Sequence, residues 1–296
     1  MTVLKSREAD PLGPLVNPGR VGGLGDVFRH RYLLKLLVHK ELRARYQNSV
    51  IGFAWSYVKP AVRFIMYYWV IGLLLGPKSL ENRAMHIFAG MIMVAFFSNV
   101  LSAGTKSVVK NKALVRKISL PREMFPVASI AVSFYHMIPM YVIAIIGALL
   151  FGWNPDLGAF GAAALAFAII MVWGLAVALA FSAMNVYFRD LSNIVEVLQT
   201  TITWTTPMIY PFSIIKERLS GVVYEMYLSN PLSIAVLLNG RAFWLPTVAH
   251  PKADRVTEFP AHLFERGFVM LAIGLVLLFL AQRVFSRLEG RFAERL

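Results

Sequence analysis

Few side chains in this sequence could do chemistry, and their spacing limits what that chemistry can be. His136 stands alone inside a long uncharged run. A lone histidine there more often ties helices together than catalyses. A proton- or sodium-coupled carrier needs carboxylates at membrane mid-depth, yet Asp190 and Glu196 fall at the edge of an apolar run. Hydrolysis would need paired acids, a triad or a metal cluster, and the apolar runs hold none. With no cysteine in the chain, thiolate chemistry and disulfides are excluded. Gly104-Thr105-Lys106-Ser107 has part of a phosphate loop, but that motif requires Gly directly before Lys, and Thr105 intervenes. Nucleotide-driven work would have to come from another chain. What remains is cations and aromatics. Lys59 and Arg63 are four residues apart, so they share one helix face and can reach lipid headgroups from a helix end. The chain has 21 Phe, 11 Tyr and 6 Trp. Phe64, Tyr67, Tyr68, Phe96, Phe97, Phe134, Tyr135, Trp173, Trp204 and Tyr210 fall within or beside apolar runs, where flat rings could stack on sugar rings. Core packing and interfacial belts are the plainer use of any one of them.

The elements that must position these groups are membrane helices. Of the 296 residues, 57% are hydrophobic and 16% charged, against about 45–50% and 25% in soluble domains, and mean hydropathy is +0.60. A spanning helix needs about 20 mostly apolar residues. Runs free of Asp, Glu, Lys and Arg cover 84–105, 124–155, 157–188 and 197–215. Two weaker candidates are 267–282, extendable back through Leu263, and 55–76 if Lys59 and Arg63 are tolerated. The expectation is an all-α integral membrane protein with six spans. Pro207 and Pro211, among Thr200, Thr201, Thr203, Thr205 and Thr206, predict a kink in the fifth span, with hydroxyls bonding freed carbonyls.

An even number of spans places both termini on one side. Residues 1–49, the loop 106–123, Arg189 and the last stretch from Arg283 carry 20 Lys and Arg, and the opposite loops carry eight. By the positive-inside rule both termini are cytoplasmic. The net charge of +14 is then a topology signal with an anionic-lipid contribution, not a nucleic-acid surface. Residues 1–50 show no signal peptide. Residues 1–25, rich in Gly and Pro, read as a flexible arm. Asp26 is the expected N-cap of a helix to about Tyr46 whose apolar stripe (Val27, Leu34, Val38, Leu42) would lie on the cytoplasmic leaflet, or pack on a partner. The loop 106–123 either docks a cytosolic partner or carries plain positive-inside charge. In the external segment, residues 226–240 are uncharged, contain Pro231 and are too short to span, which suggests re-entrant half-helices or a packed external loop.

Four stretches resemble the transmembrane subunit of ABC-2 exporters, in the polysaccharide-export branch. Arg45-Tyr46-Gln47-Asn48-Ser49-Val50-Ile51-Gly52-Phe53-Ala54-Trp55, ending at Pro60, is similar to that family's approach to its first span. Lys117-Ile118-Ser119-Leu120-Pro121-Arg122 through Pro126 is similar to its coupling loop. Tyr187-Phe188-Arg189-Asp190-Leu191, followed by Pro207-Met208-Ile209-Tyr210-Pro211, resembles its span four-to-five segment. Ser229-Asn230-Pro231-Leu232 with Arg241 resembles its external gate region. The resemblance runs from about Asp26 to the C-terminus and is particularly close to actinobacterial subunits exporting lipid-linked galactan.

That resemblance implies an N-terminal interfacial helix (26–52), a six-span membrane domain (53–284) with coupling loop 106–123 and external gate region 212–262, and a cytoplasmic tail (285–296), in the bacterial inner membrane. It implies a homodimer with two cytosolic ABC ATPase subunits, which bind ATP and Mg, so this chain itself carries no cofactor. Lys112, Leu114, Arg116, Lys117, Pro121 and Arg122 would contact the ATPase. The cargo implied is a polyprenyl-diphosphate-linked glycan. Arg43, Arg45, Lys59 and Arg63 would attract its diphosphate, and the aromatics would line its channel. Another cargo in the same architecture, a scaffold or enzyme of lipid-linked glycan synthesis, and a channel are the alternatives.

Overall fold

A computed structural model describes residues 23–47, 49–73, 80–117 and 120–296. Most of the expected N-terminal arm, with Ile118 and Ser119 of the coupling loop, lies outside them. Among the described residues every regular element is helical: α1 (Leu24–Arg29), α2 (Arg31–Tyr46), α3 (Trp55–Met66), α4 (Arg83–Lys110), α5 (Lys112–Lys117), α6 (Met124–Leu150), α7 (Leu157–Tyr187), α8 (Leu191–Thr205), α9 (Phe212–Arg218), α10 (Gly221–Leu228), α11 (Pro231–Phe243), α12 (Pro251–Thr257), α13 (Leu263–Leu288) and α14 (Phe292–Arg295). Hydrocarbon offers no partner to a free N–H or C=O, so helices are what apolar runs of this length can form.

Among the described residues four helices are long and apolar enough to cross a membrane: α4 with α5, α6, α7 and α13. The pair α10–α11, bent by 74°, makes a fifth if it is one span. The fourteen-element order departs from a simple six-span count at two places. Residues 55–76 begin as α3 and continue as a π-helical stretch, Tyr67–Leu73. The fifth span, expected over 197–215 with a kink at its prolines, is α8 and α9 separated by an extended break. Thr206 (ψ 142°) and Pro211 (ψ 147°) are both extended, because a residue preceding proline is pushed out of the helical region and proline cannot donate to the previous turn. The threonines do bond back: Thr201, Thr203 and Thr206 donate to the carbonyls of Val197, Gln199 and Ile202 at 3.0, 2.9 and 3.0 Å.

Helices α4, α7 and α13 run in one direction and α6 in the other, as their end-to-end contacts record. At one end Trp244 donates to the Glu81 carbonyl, Trp153 to that of Ala242 and Asn82 to that of Thr247. At the other, Tyr187 donates to the Leu288 carbonyl, Gln282 to Glu123 and Lys40 to Asn111. Helix α4 is the axis: 72% of its most apolar stretch is buried, against 22% for α13. Close approach needs small residues. A Cβ on Gly104 would lie 2.7 Å from the Ala178 Cβ, so glycine lets α4 and α7 touch. Helix α11 is buried along nearly its whole length. Its Asn239 donates to the Ala89 carbonyl and accepts from Tyr141, tying α11 to α4 and α6.

The N-terminal helix also differs from expectation. It is broken at His30, and Asp26 sits inside α1 with its carbonyl accepting from His30; the N-cap is Gly23. Val27 and Val38 are buried, with Leu34 and Leu42 packed beside them, in an apolar cluster that includes Val108, Val115, Phe285 and Phe292. The stripe thus covers this chain's own helices, while Phe28, Tyr32 and Leu36 remain exposed. The final residues fold back as well: α13 runs to Leu288, past the expected start of the tail, and Phe292 is fully buried.

At the end of the bundle opposite α2, Asp156 caps α7 by accepting from the Ala159 N–H at 2.8 Å, and its other oxygen accepts from the buried Arg241 guanidinium at 2.5 Å. That hydrogen bond holds the Asp156 carboxyl below its ordinary 3.8. A lowered carboxyl stabilises the fold above the ordinary value and loses that contribution as pH falls through the lowered one. Asp156→Asn keeps the cap but removes the charge opposite a buried cation. It should destabilise the purified protein at pH 7 by roughly 1–3 kcal/mol. Thermal melts from pH 7 to pH 3 should show the gap to the parent closing at the acid end; a gap independent of pH would contradict the ion pair's role.

Candidate functional site

The site forms where the chain turns from α2 into α3. Helix α2 ends at Tyr46, and Gln47 is extended. Gly52 takes a positive φ of 54°, a conformation a side chain resists, and a short 3-10 turn over Gly52–Ala54 starts α3. This turn lays the first residues of α3 beside the last of α2. Tyr46 Oη comes 2.5 Å from Ser56 Oγ. Both hydroxyls converge on His136 Nδ1 of α6, at 3.0 and 2.9 Å. The lone histidine of the run 124–155 therefore holds α2, α3 and α6 together. Phe53 stacks on its ring and Tyr46 meets it edge-on.

Next to this junction is a cavity of about 600 Å³, bounded by α2, α3, α4 and α6. Ligand pockets run about 300–1,000 Å³, so it is large enough for a headgroup and a sugar. Arg45, Lys59 and Arg63 line it, with Trp55, Asn99 and His136. Lys59 sits over the Trp55 ring, 5.8 Å from its centroid. The three cations are exposed, and among the described residues none is in a salt bridge. Like charges around a concave, partly apolar wall raise the local concentration of an anion, and a phosphate group accepts several charge-assisted hydrogen bonds at once. A second cavity of about 290 Å³ shares Arg45 and Asn99 and leads along α4 to Lys106 and Lys110. Lys106 is paired with Glu196, and Lys110 with Glu41. Among the described residues, no three His, Asp or Glu side chains are grouped to hold a metal ion.

The expected site residues divide clearly. Arg45, Lys59 and Arg63 come together; Arg43, exposed on the last turn of α2, does not line the cavity. Phe64, partly buried, stacks on Tyr68 and meets Phe88 edge-on. Tyr67 packs against the core. Phe134, Tyr135 and Trp204 are exposed, and Tyr210 donates to the Trp204 carbonyl with its hydroxyl 3.3 Å from that of Tyr227. Phe96 and Phe97 are corrected: at 1% and 8% exposure they are inside the chain's own core and present no free ring face. Of the coupling set, Lys112, Arg116 and Lys117 are exposed on α5. Leu114 packs against the apolar cluster, Pro121 is buried and Arg122 lies over the Phe292 ring, so these three brace the loop against the C-terminal turn. The residues that sequence reasoning missed are Tyr46, Ser56, Trp55 and Asn99. Asn99, a strong polar group within an apolar run, was the available signal.

Residues 32–238 match the family of ABC-2 type transporters, and the chain belongs to that family as a permease. It is similar along most of its length to proteins named O-antigen export system permease protein RfbA. The one from Klebsiella pneumoniae is 25% identical over 264 residues, covering 88% of this chain and 94% of the relative. The one from Myxococcus xanthus is 24% identical over 280 residues, covering 91% and 97%. The chain is thus a multi-pass permease of the bacterial inner membrane. Membership implies association with an ABC ATPase partner.

His136→Leu removes the shared partner of two hydroxyls at a buried junction and should cost roughly 1–3 kcal/mol, read as a lower melting temperature of the purified chain. His136→Gln, which keeps an acceptor, should lose less. Equal losses would mean that packing, not hydrogen bonding, fixes the junction.

Proposed function

We propose that this chain is the membrane subunit of an ATP-driven exporter that carries a polyprenyl-diphosphate-linked polysaccharide, a cell-wall galactan or O-antigen-like glycan, out of the cytoplasm. The observation that carries the reading is the cavity at Arg45, Lys59 and Arg63, whose cations have no salt-bridge partner among the described residues. It lies between the N-terminal helix and the first apolar helix, on the side with the excess of basic residues, where a lipid of the cytoplasmic leaflet would arrive. The diphosphate docks there, and the polyprenyl chain stays in the bilayer beside α3 and the π-helical turn that follows it, where Val62, Ile65, Met66 and Trp69 are exposed.

Two copies of the chain form the transporter, with six spans each and both termini cytoplasmic. Two ABC ATPase subunits, which bind ATP and Mg, press on α5 through Lys112, Arg116 and Lys117. Because Leu114, Pro121 and Arg122 join that loop to α14, a push on α5 is passed to the end of α13 and rocks the bundle. The glycan moves past the exposed rings of Phe134, Tyr135 and Trp204, which lie on surfaces that a second copy could face. The naming of the relatives as O-antigen export permeases supports a glycan cargo, and the resemblance to actinobacterial subunits supports galactan.

The triple variant Arg45→Gln, Lys59→Gln, Arg63→Gln tests this in a strain depleted of the parent gene. Each charge-assisted hydrogen bond contributes roughly 1.5–3 kcal/mol. Export of surface glycan should therefore fall by about ten-fold or more, with lipid-linked glycan accumulating inside, although the variant still reaches the membrane at parental levels. Unchanged export would overturn the docking site.

A further inference from the structure

At the end of the bundle opposite the cationic cavity is a third cavity, of about 490 Å³, between α9, α11, α12 and the start of α13. Its floor is Arg241 of α11, only 5% exposed. One terminal nitrogen of that guanidinium bonds Asp156 at 2.5 Å. Its Nε–H is buried and finds no acceptor among the described residues. An arginine donor left unmade in the interior is costly, and it marks a place where an acceptor belongs. Gly158 makes room for the Arg241–Asp156 pair: a Cβ there would stand 3.1 Å from the Arg241 terminal nitrogen and 3.4 Å from an Asp156 oxygen.

The rim repeats the sign of the floor. Lys216 of α9 and Arg255 of α12, both exposed, line the same cavity. Lys216 Nζ is tethered to the Val256 carbonyl at 3.1 Å, which holds it over the opening. His262 and Glu265 also line it, bonded to each other at 3.0 Å, so the one carboxylate of the lining already has a partner. Phe259 and Phe264 supply apolar wall. One turn beyond Phe264, Phe268 and Val269 of α13 are exposed, on a helix whose outer face is apolar.

We infer that this cavity is a second anion site, built for a phosphate or diphosphate group, on the far side of the bundle from the docking cavity. Arg241 offers its unmade donor from below, Lys216 and Arg255 close over the group, and the exposed apolar turn of α13 gives a lipid tail somewhere to lie. Two sources share this chemistry, free inorganic phosphates and the headgroup of a lipid diphosphate. We assign the headgroup, which the transport reaction delivers to this leaflet. That assignment rests on the proposed function; the existence of the anion site does not.

The test uses the full-length purified chain in nanodiscs. In the Arg45→Gln, Lys59→Gln, Arg63→Gln background, which removes the docking cavity, binding of inorganic diphosphate and of a polyprenyl diphosphate is followed by phosphorus NMR. The site predicts that this background still binds. Adding Lys216→Gln and Arg255→Gln, both exposed and safe for folding, should weaken binding by about ten-fold, and Arg241→Gln should abolish it if the variant folds. Binding of the polyprenyl form at lower concentration than inorganic diphosphate supports the lipid as ligand; the reverse order supports a free phosphate in the same site. Loss of all binding in the docking-cavity background, or binding indifferent to Lys216 and Arg255, overturns the site. None of these readouts needs ATP, the ATPase or export, so failure here is distinct from failure of the exporter reading.

Discussion

The structure depends on α4 being enclosed. A chain this apolar must satisfy its backbone within each segment, and what gives the helices a fixed arrangement is the packing of α6, α7 and α11 around that one axis. Small residues permit the approach, as at Gly104 against Ala178, and a few buried amides and indoles set the register. Asn239 bridges α11 to α4 and α6; Trp173 of α7 donates to the Met270 carbonyl of α13. In lipid, association must come from close packing and such bonds, since apolar surface alone gives no preference among partners.

Charge is distributed against this frame in two ways. Away from the docking cavity cations are paired: Arg266 with Glu225, Lys110 with Glu41. At the proposed docking cavity they are left open, as at Arg45, Lys59 and Arg63. A cation whose donors are all taken by the protein would have little to offer a diphosphate, and one buried without a partner would cost too much. Exposed side chains around a cavity meet both limits. The junction beneath them is neutral by contrast, with Tyr46, Ser56 and His136 fixing where α3 leaves α2.

Much of this was legible in the sequence because bilayer thickness imposes a length on apolar runs. The bounds of α4, α6 and α7 follow the uncharged runs to within a few residues. The two prolines announced a kink in the fifth span, but hydropathy did not register how far they break it: α8 ends at Thr205, and Thr206 and Pro211 are extended. Phe96 and Phe97 failed for a related reason. Apolarity alone does not say whether a ring faces lipid, a partner or the core, and α4 turned out to be enclosed. The cationic set was readable in part, since Lys59 and Arg63 share a helix face. Ser56 and His136, 80 residues apart in the chain, could be joined only by the fold.

The central claim is that the cavity between α2, α3, α4 and α6 receives the lipid diphosphate. Photo-crosslinking tests it most directly. A polyprenyl diphosphate carrying a diazirine beside its headgroup is incorporated with the assembled transporter in nanodiscs, illuminated, and the modified peptides are mapped. The account predicts crosslinks concentrated in 45–63 and around Asn99 in the nucleotide-free state, suppressed by inorganic diphosphate. Crosslinks spread over the lipid-facing surface of α13, with none in 45–63, would contradict it.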